Sequence, residues 1–327
     1  SIQQVFPDEV AKNLVLIYAE SLEANYIDSE LFPGLTPNLS ATAQEGHWFQ
    51  RVEQYPGTGW TIAGIVSSQC GVPLFSERGG NEILTEVDNP FSEITCLAEH
   101  YREIGGQTIY VGGASLSFAG KGNFLRDNGY ETVLGIDELP NANSHSWGMY
   151  DSETFGYARQ IFDELAIGNK PFLLTALTLD THHPYGTPSP GCTPYTMERS
   201  SMLDAVHCSD KLISDFIDHI RNSPVAGQTV IAIVSDHLLI KGDTISTLDL
   251  KERHILFLLL LPGAAPMQHL GPSTHFDIGP TLLEAAGLRG REAPFGRSLL
   301  SSDVGKVIAQ DLSEEDMQAF KVEALLH

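Results

Sequence analysis

The most constraining stretch of this chain is residues 229–237, TVIAIVSDH. Six apolar or β-branched residues in succession read as a buried central strand, and the run stops on Asp236 and His237 with no turn residue between them. In an open α/β sheet such a strand delivers its last residues to the carboxyl edge, where ligands bind. A carboxylate and an imidazole arriving there together are a usual ligand pair for a divalent metal. In isolation, the same two residues read more readily as a capping aspartate and a hydrogen-bonded loop histidine, so the rest of the chain has to decide.

Two further apolar runs end on polar chemistry. Residues 13–18, NLVLIY, lead to Glu20, which alone reads as an acid at a helix N-terminus, favoured by the macrodipole. Residues 172–179, FLLTALTL, lead to Asp180, Thr181, His182, His183 and Pro184. Two adjacent histidines pinned by a proline suit a substrate or metal role as well as a structural turn. Residues 55–70, YPGTGWTIAGIVSSQC, give an irregular Pro/Gly loop followed by a helix of small residues. Thr61 or Thr58 is an N-cap there, or a hydroxyl at the positive end of the dipole, where an anion is welcome. A threonine hydroxyl becomes a nucleophile only with a metal or a base beside it.

The remaining segments set the architecture. Residues 107–113, QTIYVGG, form a short strand, followed by SFAGK at 117–121. That loop lacks the Walker spacing, so Lys121 is a solvated surface lysine or the one cation of a glycine-containing loop. Trp147 interrupts a polar loop and fits the core or a pocket wall. Residues 33–39 turn into a helix with Thr36 as cap and Pro37 at its first position. Residues 155–165, 210–220 and 276–286 read as helices. Residues 254–261 are a continuous apolar run suited to a parallel strand covered on both faces. Strands alternating with helices imply an α/β fold with a mostly parallel central sheet flanked by helices.

With 327 residues and 42% hydrophobic content the chain can build one large core or two modest ones. The longest apolar run, residues 255–261, is far short of the roughly 20 residues that span a bilayer. The chain starts at Ser1 without methionine or signal peptide, as a processed piece of something longer would, which leaves an upstream membrane anchor open. A net charge of -23 argues against nucleic acid or an anionic membrane surface as a general partner, so an anionic substrate needs a local cation. Near neighbours pair naturally as Cys70 with Cys96 and Cys192 with Cys208, although four cysteines allow three pairings. Two loop-stapling disulfides imply an oxidising compartment; four free buried thiols are the other reading.

Brought to one sheet edge, Glu20, Thr61, Asp236 and His237 can surround a single divalent cation, with His182 nearby. NLVLIYAESLE, PGTGWTIAGIVSSQCGVPLF, SFAGKGNFL, TLDTHHP and SDH stand in the order and approximate spacing of the alkaline phosphatase and sulfatase superfamily, and the chain resembles its lipoteichoic acid synthase-like branch from about residue 13 to FGRSLL at 295–300. The resemblance implies an alkaline phosphatase/sulfatase-like fold, a catalytic domain over residues 1–300 and an acidic helical tail over 301–327. It implies one divalent cation, manganese with magnesium as the alternative, on Glu20, Thr61, Asp236 and His237, with Thr61 as nucleophile and His182 as its catalytic partner. Lys121, His182, His183 and Trp147 are then the substrate-binding candidates. The synthases have an aspartate and a tryptophan where this chain has Ala114 and Ala119, so the glycerol contacts differ here.

The implied reaction moves phosphoglycerol from phosphatidylglycerol, or from a phosphoglyceryl glucan, to a periplasmic glucan through a phosphoglyceryl-threonine. The implied location is the periplasm or the outer face of an inner membrane, with membrane contact through the lipid substrate or an upstream anchor. A phosphodiesterase of the same fold, in which water takes the second step, is the alternative, and a non-catalytic binding or sensory module is a third. A sulfatase activity would need a convertible cysteine or serine, where this chain has Thr61.

Overall fold

Continuous apolar runs become the inner strands of one large sheet, and their ends set the site. The computed structural model of the chain describes residues 13–75, 84, 91–140, 142–195, 200–288 and 293–301. The strands are β1 (Asn13–Ala19), β2 (His47–Phe49), β3 (Val52–Glu53), β4 (Gln107–Gly112), β5 (Thr132–Leu134), β6 (Ser144–His145), β7 (Gly148–Met149), β8 (Phe172–Leu177), β9 (Thr229–Ser235), β10 (Phe257–Leu260), β11 (Met267–His269) and β12 (Ser273–Thr274). The α-helices are α1 (Pro37–Glu45), α2 (Thr61–Cys70), α3 (Leu97–Glu103), α4 (Lys121–Asp127), α5 (Asp151–Ile167), α6 (Ser201–Arg221), α7 (Ile245–Leu248) and α8 (Ile278–Ala285). Eight strands form the main sheet in the order β11-β2-β10-β9-β1-β8-β4-β5, and β3/β12 and β6/β7 are small separate ribbons.

Alternation along β1 explains the layers. Leu14, Leu16 and Tyr18 join a core with Ile62 of α2, Leu97 of α3 and Leu282 of α8. Val15 and Ile17 face the other way, toward Leu39 of α1, Phe155 of α5 and Phe216 of α6. Both faces of the sheet are therefore covered, which is why its inner strands read as unbroken apolar runs. Seven of the eight strands run one way. The exception is β10, antiparallel to both β9 and β2, where the sequence suggested a parallel strand at 254–261. Ile255 to Leu259 are fully buried; continuous apolarity reports coverage on both faces and is silent on direction.

Helix ends depart from the sequence reading in an instructive way. Thr36 does not cap α1 with its side chain; its hydroxyl donates to the Tyr26 carbonyl at 2.9 Å. The cap comes from α6, where the Asp210 carboxylate accepts from the Leu39 N–H at 2.7 Å and the Asn38 N–H at 3.2 Å. That helix begins at Ser201, nine residues before the stretch its apolar spacing marked, and Ser200 caps it by accepting from the Leu203 N–H. Cys70 is bonded to Cys96 and Cys192 to Cys208. No helix among the described residues is long and apolar enough to cross a membrane. The expected tail lies, past Ser301, outside the described residues.

Candidate active site

Parallel pairing of β1 with β9 aligns Ala19 with Ser235, so the next residues, Glu20 and Asp236, emerge side by side at the carboxyl edge. The chain turns sharply after Glu20: Ser21 has φ 53, a left-handed conformation rare for a side chain other than glycine. Its N–H donates to Asp236 Oδ1 at 2.9 Å and its hydroxyl to Glu20 Oε1 at 3.0 Å. These bonds hold the turn in place, as strained residues at functional sites require.

The first turn of α2 packs directly on the end of β9. A Cβ on Gly64 would fall 1.9 Å from the Asp236 carbonyl oxygen, so only glycine permits the approach. The same carbonyl accepts from His275 Nε2 at 2.9 Å. Thr61 is thereby brought to the carboxylates, and its hydroxyl donates to Glu20 Oε2 at 3.1 Å. The helix has no side-chain cap, which leaves first-turn amides available to an anion.

Glu20, Asp236 and His237 each offer a ligand atom, all within 4.8 Å of one another, and all three residues are buried. His237 Nδ1–H donates to the Leu238 carbonyl at 2.8 Å, which turns Nε2 toward Glu20 Oε1 at 3.3 Å and Asp236 Oδ2 at 3.5 Å. Burial and the adjacent Glu20 carboxylate push the Asp236 carboxyl well above its usual range. Burial also opposes the charged form of Glu20, but the His237 imidazole outweighs it and leaves that carboxyl below its usual range. For His237 burial is again the largest effect and lowers the pKa; the two carboxylates overcome it and raise it to about 10. Among the described residues Asp236 Oδ2 has no hydrogen-bond partner, although Asp236 is fully buried. Two crowded carboxylates, an orphaned oxygen and an imidazole with its outer nitrogen fixed by a carbonyl fit a divalent cation in chemistry and in outer-sphere support.

Beside this cluster is a cavity of about 240 Å³ lined by Glu20, Thr61, Lys121, His182, Trp147 and Phe118 among others. Lys121 is 4% exposed, so the solvated reading of this lysine does not hold. Ala119 and Gly120, with φ 57 and 67, turn the chain inward ahead of it. Burial lowers its pKa to about 8, against the pull of Glu20 and Asp236. Trp147 is 44% exposed, a pocket-wall residue rather than core, and its ring lies 4.0 Å from that of His182. His182 Nδ1–H donates to the His183 carbonyl at 2.8 Å, and Nε2 has no hydrogen bond among the described residues. His183 stacks on His182 at 4.5 Å and is not part of the cavity wall. Ala114 and Ala119 both line it.

Several supporting residues escaped the sequence reading. Asp180, three residues past the end of β8, is fully buried and accepts the Asp151 N–H at 3.1 Å, while Asp151 accepts from the Leu179 N–H. His145 Nε2 lies 3.5 Å from Asp180 Oδ1. The sequence signal was the aspartate in TLDTHHP, but nothing local tells a carboxylate under the sheet edge from one in the cavity. Gly64, Ser21 and His275 were likewise unmarked. A second cavity, about 290 Å³, lies by His47, Phe49 and His269, and among the described residues no carboxylate lines it.

A family model described as Sulfatase matches residues 12–288. Phosphoglycerol transferase I of Xanthomonas euvesicatoria pv. vesicatoria (strain 85-10) is 39% identical over 302 residues, covering 89% of this chain and 43% of the relative. That of Escherichia coli O6:K15:H31 (strain 536 / UPEC) is 37% identical over 315 residues, covering 93% and 41%. The chain thus spans less than half the length of these relatives. Among solved structures, an alkaline phosphatase superfamily protein from Vibrio parahaemolyticus superposes with a TM-score of 0.73 at 24% identity, covering 96% of this chain and 73% of the other. The lipoteichoic acid synthase LtaP of Listeria monocytogenes gives 0.73 at 18%, covering 93% and 78%. At these identities the structural matches speak for the fold.

Proposed function

The chain belongs to the sulfatase family, and on that premise we propose that it is the catalytic part of an enzyme that transfers phosphoglycerol from phosphatidylglycerol to a glucan through a covalent threonine adduct. The observation that carries this reading is the Thr61 hydroxyl at the uncapped start of α2, 3.1 Å from Glu20, which clusters with Asp236 and His237. Glu20, Asp236, His237 and Thr61 would hold one divalent cation, manganese or magnesium. Such an ion lowers the pKa of a bound hydroxyl group and offsets charge on phosphoryl oxygens.

The chain's own groups supply the remainder. Glu20 orients the Thr61 hydroxyl, and once its proton is given up to solvent the Thr61 oxygen forms a bond to phosphorus as the bond to diacylglycerol breaks. His182 Nε2 gives the departing oxygen its proton and later takes one from the entering hydroxyl. Lys121 and the first-turn amides of α2 offset phosphate charge in a protein of net charge -23. Because donor and acceptor use the site in turn, parallel double-reciprocal lines are expected. The relatives' names support phosphoglycerol transfer, and two disulfides support an oxidising compartment, the periplasm or the outer face of an inner membrane.

The test is the intact mass of manganese-loaded protein after incubation with phosphatidylglycerol alone, beside Thr61→Ala. A phosphoglyceryl increment on wild type and none on the variant supports nucleophile and donor together. No increment and no diacylglycerol released refutes the donor assignment. Glycerol phosphate formed equally fast with and without glucan would favour the hydrolase.

A further inference from the structure

The floor of the cavity is charged and buried, while its mouth is aromatic and open. Glu20 and Lys121 are 1% and 4% exposed, whereas Phe118 and Trp147 keep 47% and 44% of their surface in solvent. Large rings left open beside a reactive floor call for a flat apolar partner. Ser115 and Ser146 stand among them on the cavity wall, and Ala114 and Ala119 add little bulk there.

The indole is held in place from behind. Residues 144–149 form the β6/β7 ribbon, pairing Ser144 with Met149 and His145 with Gly148, and the Met149 N–H donates to the Gly113 carbonyl at 2.9 Å. The Trp147 N–H donates to His145 Nδ1 at 3.4 Å, so the ring proton of neutral His145 belongs on Nε2, facing Asp180 at 3.5 Å. The His145 side chain is 5% exposed and Asp180 is fully buried. His145 Nε2 makes no hydrogen bond among the described residues, so what ties the His145 ring to the loop that lays Trp147 on His182 is the Nδ1 bond to Trp147, with the Tyr150 ring 5.0 Å away.

We propose that Phe118 and Trp147 are the acceptor subsite, a stacking platform for a neutral sugar ring, and that His145 is the positioning residue that holds the indole. This rests on the transfer reading above. The apolar face of a pyranose suits an exposed ring, and its hydroxyls find serines at the same rim. The net charge of -23, with Asp137 accepting from Ser115 at 2.6 Å near the mouth, disfavours an anionic acceptor. A cavity of about 240 Å³ admits a lipid headgroup but leaves acyl chains outside, so the rim is open to a second ligand. In the second step the sugar oxygen bonds to phosphorus as the bond from phosphorus to Thr61 Oγ breaks. The sugar proton goes to His182 Nε2, replacing the one given to diacylglycerol, and Thr61 Oγ departs as the same oxyanion that attacked.

The experiment follows how the adduct divides between acceptors, a ratio independent of how fast it forms. Manganese-loaded wild type, Trp147→Ala, Trp147→Phe, Phe118→Ala, His145→Gln and His145→Ala are charged with phosphatidylglycerol and chased with a short neutral β-glucan oligosaccharide, or with glycerol as a ringless acceptor. The expected result for Trp147→Ala is a sugar-to-water ratio about tenfold lower, with the glycerol-to-water ratio within about twofold of wild type, the size of effect that lost apolar contact gives. Trp147→Phe should restore most of the ratio, Phe118→Ala should lower it less than Trp147→Ala, and His145→Gln should keep it better than His145→Ala. Unchanged sugar-to-water ratios in both Trp147→Ala and Phe118→Ala, or equal falls for sugar and glycerol, would overturn the platform while leaving the transfer reading intact. No adduct on wild type would remove the transfer reading and the platform with it.

Discussion

Gly64→Ala tests whether the site depends on the close approach of α2 to β9. A Cβ there would sit 1.9 Å from the Asp236 carbonyl oxygen and 2.8 Å from its carbon, where ordinary contact starts at 3.4 Å. Helix and strand end must separate by about 1.5 Å, because the obstructing atoms are backbone and cannot rotate away. Overpacking of this kind costs about 1–3 kcal/mol, which for a chain of this size lowers the melting temperature by about 2–6 °C. The functional cost is larger. Thr61 lies three residues from Gly64 on the same helix, and a misplacement of about 1 Å lowers a reaction rate about 100-fold. The expected outcome in a time course of adduct mass is therefore a rate near one hundredth of wild type on a protein that still melts cooperatively. Gly156→Ala is the control: it lies inside α5 with nothing within 4 Å of its added Cβ, and should gain about 0.5–1 kcal/mol with an unaltered rate. A Gly64→Ala rate within about threefold of wild type would refute the argument that this contact positions the nucleophile.

Manganese should raise the melting temperature of the metal-free protein, with about 2.7 kcal/mol of stabilisation at 100 times the dissociation constant. Asp236→Asn should abolish that response yet leave the metal-free protein no less stable, since it removes one of two crowded carboxylates; a retained manganese response would refute the ligand assignment. Lys121 carries its charge below a pKa of about 8 and loses it above, so KM for an anionic donor should rise as pH passes 8. A bound cation moves that rise lower, and Lys121→Met should raise KM at pH 7 and flatten the profile. Cys70→Ser/Cys96→Ser opens a staple of sequence separation 26 between the end of α2 and the start of α3. It should cost about 3.5 kcal/mol in denaturant titration.

The sequence reveals which strands are central and which residues end them, because coverage on both faces and the abrupt change to polar residues are both local properties. Glu20 and Asp236 could be paired in thought for that reason, and the alignment of Ala19 with Ser235 brings them together in space. Direction and depth are not local. The reversed β10 has the same apolar composition a parallel strand would have, and Lys121 gives no sign of its burial until the left-handed turn at Ala119 and Gly120 is seen.

Asp180 and Asp236 sharpen the distinction, since each follows an apolar run at the end of a parallel strand and each is fully buried. Asp180 has both oxygens engaged, Oδ1 by the Asp151 N–H and Oδ2 by Ser189, and it supports a loop. Asp236 keeps one oxygen with no hydrogen-bond partner among the described residues, 3.5 Å from His237 Nε2 and close to the second carboxylate of Glu20. A buried carboxylate whose hydrogen bonds are complete has finished its work within the fold, whereas one left incomplete next to another acid is destabilising until a cation arrives. That difference in satisfaction, which residue order cannot encode, is what separates the scaffold aspartate from the candidate ligand.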